Sequence, residues 1–185
     1  YAMRLTHRGM VHAVLRYLMY PPFPIEVVYD QKKTILKSAN PILDNPLADI
    51  AGIVSISIAD EELEGFIWLY NGKYKRMKVE SKLYQQNFLV AEGDECNGLK
   101  PEWVQYMSCR LHLKKRFLTI PMNRTGLVRD DKFQQLREKI GQKIVKYFNK
   151  SPLNLNLYLS DGQKSVLTEY ESEMELLAKA VTVDV

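Results

Sequence analysis

The 185-residue sequence contains few cysteines and lacks any long apolar segment. Two cysteines, Cys96 and Cys109, are too few for the disulfide framework of a small secreted domain. A membrane-spanning helix needs about 18 consecutive apolar residues, and the sequence has no such run. The first residues also lack the apolar core of a signal peptide. We therefore expect a cytoplasmic protein with two reduced, packed thiols and no contact with a membrane.

Sequence motifs of the common enzyme classes are also absent. The chain has no GxxxxGK[ST] phosphate loop, no GxGxxG fingerprint, no HExxH zinc motif and no GxSxG nucleophile turn. Its paired carboxylates, Glu61-Glu62 and Asp130-Asp131, fall where turns or helix starts are expected, so solvation or helix capping explains them. These motifs therefore assign no catalytic residue.

What the sequence does contain is the composition of a globular protein. Hydrophobic residues make up 46% and charged residues 26%, which excludes a disordered chain. The length suits one domain or two small ones. The net charge of +4 is mildly basic, and binding of nucleic acid would require the basic residues to cluster on one face.

The spacing of apolar residues predicts the elements of the first third of the chain. Residues 9–19 place apolar side chains on one helical face, and Tyr20-Pro21-Pro22 ends the predicted helix. Residues 25–29 form a β-branched run that predicts a strand, and residues 53–58 alternate as a half-buried strand does. Residues 30–52, which contain Asn, Asp, Pro and Gly, are expected to form a long loop.

Asn71-Gly72 gives the clearest local turn signal. It separates residues 66–70 from residues 73–79, and an Asn-Gly pair supplies the two positive φ angles of a type I′ turn. The sequence therefore predicts a β-hairpin here, followed by a strand at 86–91 and an acidic turn at 92–98.

The second half of the chain contains a strongly amphipathic segment at 131–148. Its apolar positions repeat at intervals of three and four residues, and Asp130 or Asp131 can cap the helix that this spacing predicts. A strand at 153–159 and an acidic helix at 166–180 are expected to follow. Together the elements predict an α/β or α+β protein with a mixed sheet and packed helices. The apolar positions of the first helix are Phe133, Leu136, Ile140, Ile144, Tyr147 and Phe148.

Two short motifs precede this helix. The first is Leu99 followed by Pro101-Glu102-Trp103-Val104, and the second is Ile120-Pro121-Met122-Asn123-Arg124. In this order they resemble the middle region of the ninety-kilodalton heat-shock chaperones and, more loosely, the second domain of other GHKL ATPases. The resemblance implies a βαβ transducer-like domain and a chaperone that uses ATP.

The resemblance assigns a candidate catalytic residue to the second motif. In the family an arginine of this motif reaches the γ-phosphate of ATP held in the preceding domain, and Arg124 is the nearest candidate. Its permanent charge and forked donors suit phosphate oxygens, which it would both stabilise and report on. The family places the arginine three residues after the asparagine, so Arg129, six residues after Asn123, is an alternative phosphate contact. Bracing of the loop is the structural alternative for Arg124.

The N-terminal sequence carries a weaker form of the same resemblance. In GHKL ATPases a glycine turn starts a helix whose amides face the nucleotide phosphates, and Thr6-His7-Arg8-Gly9-Met10 fits that order. Gly9 and Met10 are thus candidate cofactor-binding residues, although a lone glycine also suits an ordinary turn. The family residues for Mg²⁺ and adenine precede this turn. The resemblance therefore implies a chain that begins within the ATPase domain, with ATP and Mg²⁺ bound mainly by residues outside it.

These assignments divide the chain into three units. Residues 1–58 are the C-terminal part of a nucleotide-binding domain, residues 59–150 a transducer-like middle domain, and residues 151–185 a strand-plus-helix extension.

The predicted function is to couple the ATP state to a protein client or partner, and the family implies a homodimer. A protein-binding module without nucleotide is the alternative. Nucleic acid is the less favoured partner; it would use the basic residues at 114–116 and 73–78, which a solvated turn and aromatic packing also explain.

Overall fold

A computed structural model of the chain describes residues 6–17, 24–36, 45–120, 127–150 and 157–160. These residues form two α-helices, two 3-10 helices and seven strands. The helices are α1 (His7–Tyr17), α2 (Asp131–Lys150), η1 (Gly72–Met77) and η2 (Gly93–Leu99). The strands are β1 (Ile25–Tyr29), β2 (Lys32–Leu36), β3 (Ile53–Ala59), β4 (Leu63–Tyr70), β5 (Lys82–Gln85), β6 (Phe88–Glu92) and β7 (Met107–Leu113).

Five of these strands form one mixed sheet in the order β3-β4-β7-β5-β6. Neighbouring strands are antiparallel except β5 and β7, which are parallel. The connection from β5 to β7 contains β6 and η2 rather than an α-helix. The predicted α+β class, with a mixed sheet and packed helices, is confirmed.

Helix α2 covers one face of this sheet. Its apolar residues share a core with alternate strand residues such as Ile56, Ile67 and Cys109, which lie opposite one another in neighbouring strands. The amphipathic helix is confirmed: five of its six predicted apolar positions are buried, and Tyr147 is half-buried. Both cysteines are buried free thiols, and burial raises the pKa of Cys109 to about 12.

The other face of the sheet carries aromatic residues. Trp68 and Tyr70 are fully buried there and pack with Leu47, which precedes β3. The indole Nε1 of Trp68 donates a hydrogen bond to Asn45 Oδ1 at 2.9 Å, so the segment before β3 is held on this face.

Strands β1 and β2 form a separate antiparallel hairpin, and α1 contacts both of them and β6. Among the described helices, none has an apolar stretch that could cross a bilayer.

The hairpin predicted at Asn71-Gly72 is wrong. Asn71 has a φ of −63° rather than the positive value of a type I′ turn, and its side chain accepts a hydrogen bond from the Lys73 amide at 3.0 Å. Residues 72–77 form η1 instead, because asparagine is also a strong helix cap. Strand β4 pairs with β3 and β7, so it needs no partner after the turn.

Elsewhere in the described residues, two hairpins have two-residue turns without glycine. Asp30-Gln31 joins β1 to β2 and Gln86-Asn87 joins β5 to β6, and all four residues have positive φ angles. The long loop predicted over 30–52 is therefore wrong where β2 runs. The strand predicted at 86–91 begins two residues later, at Phe88, and β5 is a strand that the sequence patterns did not predict.

The predicted division of the chain can be compared with the structure at its first boundary and at the start of its last unit. The boundary after residue 58 falls within β3, which pairs with β4 along its whole length. Strand β3 therefore belongs with the sheet of the second predicted unit, and the division into domains stays a prediction. Of the strand predicted at 153–159, residues 157–159 are described, and Leu159 forms an isolated bridge with Val104. The helix predicted at 166–180 lies outside the described residues.

Candidate functional site

One buried side chain ties the start of the second motif to β5. Gln85 is 4% exposed, and its Oε1 accepts hydrogen bonds from the amides of Phe117 at 2.8 Å and Leu118 at 2.6 Å. Its Nε2 donates to the Leu118 carbonyl oxygen at 3.2 Å. Because both ends of the side-chain amide bind one dipeptide, Gln85 fixes the root of the segment that leads to residues 121–126.

The other end of that segment meets the start of α2. Asp130 accepts a hydrogen bond from the Phe133 amide at 3.0 Å, the helix cap that the sequence predicts. This bond and a second one from the Thr119 side chain lower the pKa of Asp130, so one carboxylate joins both sides of the segment. Arg129 is exposed and lies beside Gly98 of η2. Gln85 and Asp130 thus fix described residues on both sides of residues 121–126.

A cavity of about 410 Å³ lies between this root and the edge strand β6. Phe88, Leu89 and Val90 line one side of it, and Arg116 and Ile120 line the other. Phe88 and Ile120 are exposed apolar side chains, and the exposed Arg116 gives the wall a positive charge. Helix α1 also contacts β6, so each of the two segments that carry the family resemblance has a contact with this strand.

The amides near the start of α1 are used within the chain. The Gly9 N–H donates to the Thr6 hydroxyl at 3.1 Å, and the Met10 N–H donates to the Thr6 carbonyl at 3.0 Å. Thr6 is therefore the N-cap of the helix. His7 Nε2 lies 3.2 Å from the Val27 carbonyl oxygen, a contact that joins the helix start to β1. A phosphate at Gly9 would have to displace the Thr6 hydroxyl, and the assignment of Gly9 and Met10 to the cofactor stays a prediction.

A buried histidine supports the turn that precedes β6. His112 of β7 is 6% exposed; its Nδ1 lies 2.9 Å from Glu64 Oε1, and its Nε2 lies 3.3 Å from the Asn87 amide nitrogen. Since Nε2 accepts the Asn87 proton, Nδ1 donates to the carboxylate. Burial raises the pKa of Glu64, but the bonds from His112 and Lys114 outweigh burial and lower the pKa overall. With both nitrogens bonded, His112 holds the turn in place and is not available as a general base.

The basic residues at 114–116 do not form one surface with their neighbours in β7. Lys114 Nζ lies 3.2 Å from Glu64 Oε2 and donates to the Asp60 carbonyl oxygen at 2.8 Å. His112 is buried, whereas Lys115 and Arg116 are exposed. This arrangement favours a solvated turn.

Two exposed arginines, Arg116 and Arg129, flank residues 121–126 in the sequence. Arg124, the principal candidate, lies outside the described residues. Within the described ranges no group of three or more His, Cys, Asp or Glu side chains is placed to hold a metal ion. Binding of Mg²⁺ and adenine by residues outside the chain stays a prediction.

Sequence reasoning missed Gln85 and His112 as structural residues of this site. Gln85 ends a four-residue strand, and His112 lies between Leu111 and Leu113 in an otherwise buried stretch. A polar residue within an apolar stretch is the signal at His112, because a buried polar group needs a partner. Gln85 carries no such signal, since Gln86 and Asn87 follow it.

We compared the sequence with known protein families and with curated proteins. The sequence matches no model of a known protein family, and no curated protein is significantly similar to it. The resemblance to the heat-shock chaperones therefore depends on the motif residues alone.

Proposed function

We propose that this chain is the coupling region of a chaperone-like GHKL ATPase and transmits the nucleotide state to a protein client or partner. The observation that carries the proposal is that two segments each contact the same strand, β6. Helix α1, in the place of the family's phosphate-facing helix, contacts this strand. The root of the motif that contains Arg124 lines a cavity with the same strand.

The anchored ends of the Arg124 segment support this role. A residue that reports on a γ-phosphate must belong to a segment whose displacement moves other parts of the domain. Gln85 ties one end of the segment to the sheet, and Asp130 ties the other end to α2, whose apolar residues pack on that sheet. A shift of the segment would therefore reach both the sheet and α2.

One observation favours a second candidate, a protein-binding module that has the fold without the nucleotide. The Gly9 amide, which would face a phosphate, is bound by the Thr6 hydroxyl. Calorimetric titration with Mg-ATP separates the candidates. The coupling proposal requires ATP binding by the protein that contains this chain with its nucleotide site, and the binding module requires none.

Replacement of Arg124 tests the coupling proposal directly. In the protein that carries the complete nucleotide site, Arg124→Ala should slow ATP hydrolysis by ~100-fold or more, the effect of losing one donor that stabilises transition-state charge. Nucleotide affinity should change little, because adenine and Mg²⁺ are held by other residues. Steady-state hydrolysis and ATP titration of the same preparation measure the two quantities.

Arg129→Ala is the matched control, since Arg129 is exposed at the other side of the segment. If only Arg129→Ala loses hydrolysis, the motif still contacts phosphate, but the residue that makes the contact is Arg129 and not Arg124. Hydrolysis at the parent rate in both variants would remove the phosphate-sensing role from this segment, and the resemblance would then concern the fold only.

A further inference from the structure

A basic surface on η1 has no part in the coupling proposal. It consists of Lys73, Lys75, Arg76, Lys78 and the apolar residues Met77 and Tyr106, and we refer to it as the η1 surface. No residue of η1 is buried. Met77 is 47% exposed and Tyr106 is 37% exposed. The surface therefore offers positive charge and apolar contact area side by side.

The η1 surface carries four cations. None of them forms an ion pair in the part of the chain that the structure describes. Other cations do have partners: Lys143 pairs with Asp60 at 2.9 Å and Arg137 with Glu102 at 3.1 Å. Burial lowers the pKa of Lys100, and the charges of Lys78 and Arg137 lower it further. Positive charge thus concentrates around η1.

The backbone holds this charge in a fixed position. The Tyr74 amide donates to the Asn71 carbonyl at 2.8 Å, and the Asn71 side chain caps the first turn. The ring of Tyr74 packs on Gly52, whose φ of +81° and lack of a Cβ leave room for it. Tyr106 lies against Gly72, and Lys75 Nζ lies 5.9 Å from the Tyr106 ring centre. A partner would therefore meet preorganised charges, which lowers the entropic cost of binding.

We propose that the η1 surface binds an acidic segment of a partner protein in which an apolar side chain lies next to carboxylates. The carboxylates pair with the lysines and Arg76, and the apolar side chain contacts Met77 and Tyr106. A six-residue 3-10 helix is about 12 Å long. Alternate side chains of an extended peptide are about 7 Å apart, so two or three carboxylates span this length. The patch is short for the phosphate track of a nucleic acid.

Fluorescence anisotropy with a defined probe tests the inference without nucleotide, so the result is independent of the coupling proposal. The probe is a fluorescein-labelled extended peptide with glutamates at alternate positions around one phenylalanine. Lys73→Glu combined with Lys75→Glu should weaken its binding by at least about tenfold. Lys132→Glu combined with Lys146→Glu, at exposed positions of α2, is the matched control and should leave the affinity unchanged.

Four outcomes would overturn the proposal. The first is no binding of the probe to a parent chain with normal thermal unfolding. The second is equal affinity for a peptide with glutamine in place of glutamate. The third is tighter binding of a single-stranded oligonucleotide with the same number of charges, which would assign the surface to nucleic acid. The fourth is binding that appears only after Glu169, Glu171, Glu173 and Glu175 are changed to Gln, which would make the chain's own acidic segment the occupant.

Discussion

Gln85 is the side chain on which the root of the coupling segment depends. Leucine at this position keeps the volume but leaves the amides of Phe117 and Leu118 without their acceptor. Each buried amide left unpaired costs about 1–3 kcal/mol, so Gln85→Leu should lower the free energy of unfolding by about 2–4 kcal/mol. Urea denaturation followed by circular dichroism measures this difference.

Gln142→Leu is the control for Gln85→Leu, because Gln142 is exposed on α2. It should change the free energy of unfolding by less than about 0.5 kcal/mol. If Gln85→Leu were as stable as the parent chain, water would reach the two amides and β5 would not fix the segment. The coupling proposal would then lose one of its two anchors.

Turn residues show which features a sequence can specify locally. The sequence predicts a cap at Asp130 or Asp131, because an N-cap depends on one side chain and the next turn of helix, and Asp130 is the residue that accepts the bond. Asn71-Gly72 has two local solutions, a type I′ turn and a helix cap, and only the strand partners of β4 decide between them. Asp30-Gln31 and Gln86-Asn87 adopt positive φ angles without glycine, since the paired strands impose them. Local patterns therefore could not reveal these two hairpins.

Among the elements, length decided how well the sequence predicted the fold. Helix α2 has 20 residues, and its apolar spacing repeats often enough to identify both the helix and its buried face. Strands β2 and β5 have five and four residues, too few for an alternation to be distinguished from a loop. The candidate site was predictable only where it coincides with a motif. Its supports, Gln85 and His112, are polar residues that acquire partners through long-range pairing.

Ion pairs join the β3–β4 turn to α2. Asp60 Oδ2 lies 2.9 Å from Lys143 Nζ, and Glu62 Oε2 lies 2.9 Å from Lys139 Nζ. Burial raises the pKa of Asp60, but the bond from Lys143, the amides of Leu63 and Glu62 and the charge of Lys139 outweigh burial and bring the pKa from 3.8 to about 2. Because folding lowers this pKa, the carboxylate stabilises the fold above about pH 4, and this contribution is lost as the pH falls toward about 2.

Asp60→Asn isolates the charge, because an asparagine Oδ1 can still accept from the amides of Glu62 and Leu63. At pH 7 the variant should be less stable by about 1 kcal/mol, a value reduced for the partial solvent exposure of the pair. The difference from the parent should shrink below about pH 4 and vanish near pH 2. Thermal unfolding across this range measures it.

Asp49→Asn is the control for Asp60→Asn. Asp49 is exposed with a φ of 60°, a conformation that asparagine tolerates. Its replacement should leave the thermal unfolding close to that of the parent chain. A constant difference between Asp60→Asn and the parent from pH 7 to pH 2 would show that the Lys143 pair does not stabilise the fold.

At the scale of the whole molecule, α2 closes the core of the five-stranded sheet. Burial of its six predicted apolar side chains contributes on the order of 10 kcal/mol before conformational entropy is subtracted, comparable to the whole stability of a domain. Ile140 is fully buried within this face. Ile140→Asp places a carboxylate there without a partner and should unfold the domain or destabilise it by more than about 4 kcal/mol. Gln142→Asp, on the exposed face of α2, should melt close to the parent.

The two tryptophans determine whether Ile140→Asp acts on the whole molecule or on α2 alone. Trp103 packs in the core with α2, and Trp68 is fully buried on the opposite face of the sheet. If helix and sheet fold as one cooperative unit, the emission of both residues should shift to the wavelength of exposed indole in Ile140→Asp. Single-tryptophan variants, Trp103→Phe and Trp68→Phe, assign the signals. If Trp68 emits at the wavelength of a buried indole while Trp103 emits at that of an exposed indole, the sheet keeps its structure when α2 detaches from it. A displacement that reaches α2 through Asp130 would then not be passed from α2 to the sheet, and only the Gln85 contact would connect the segment to the sheet.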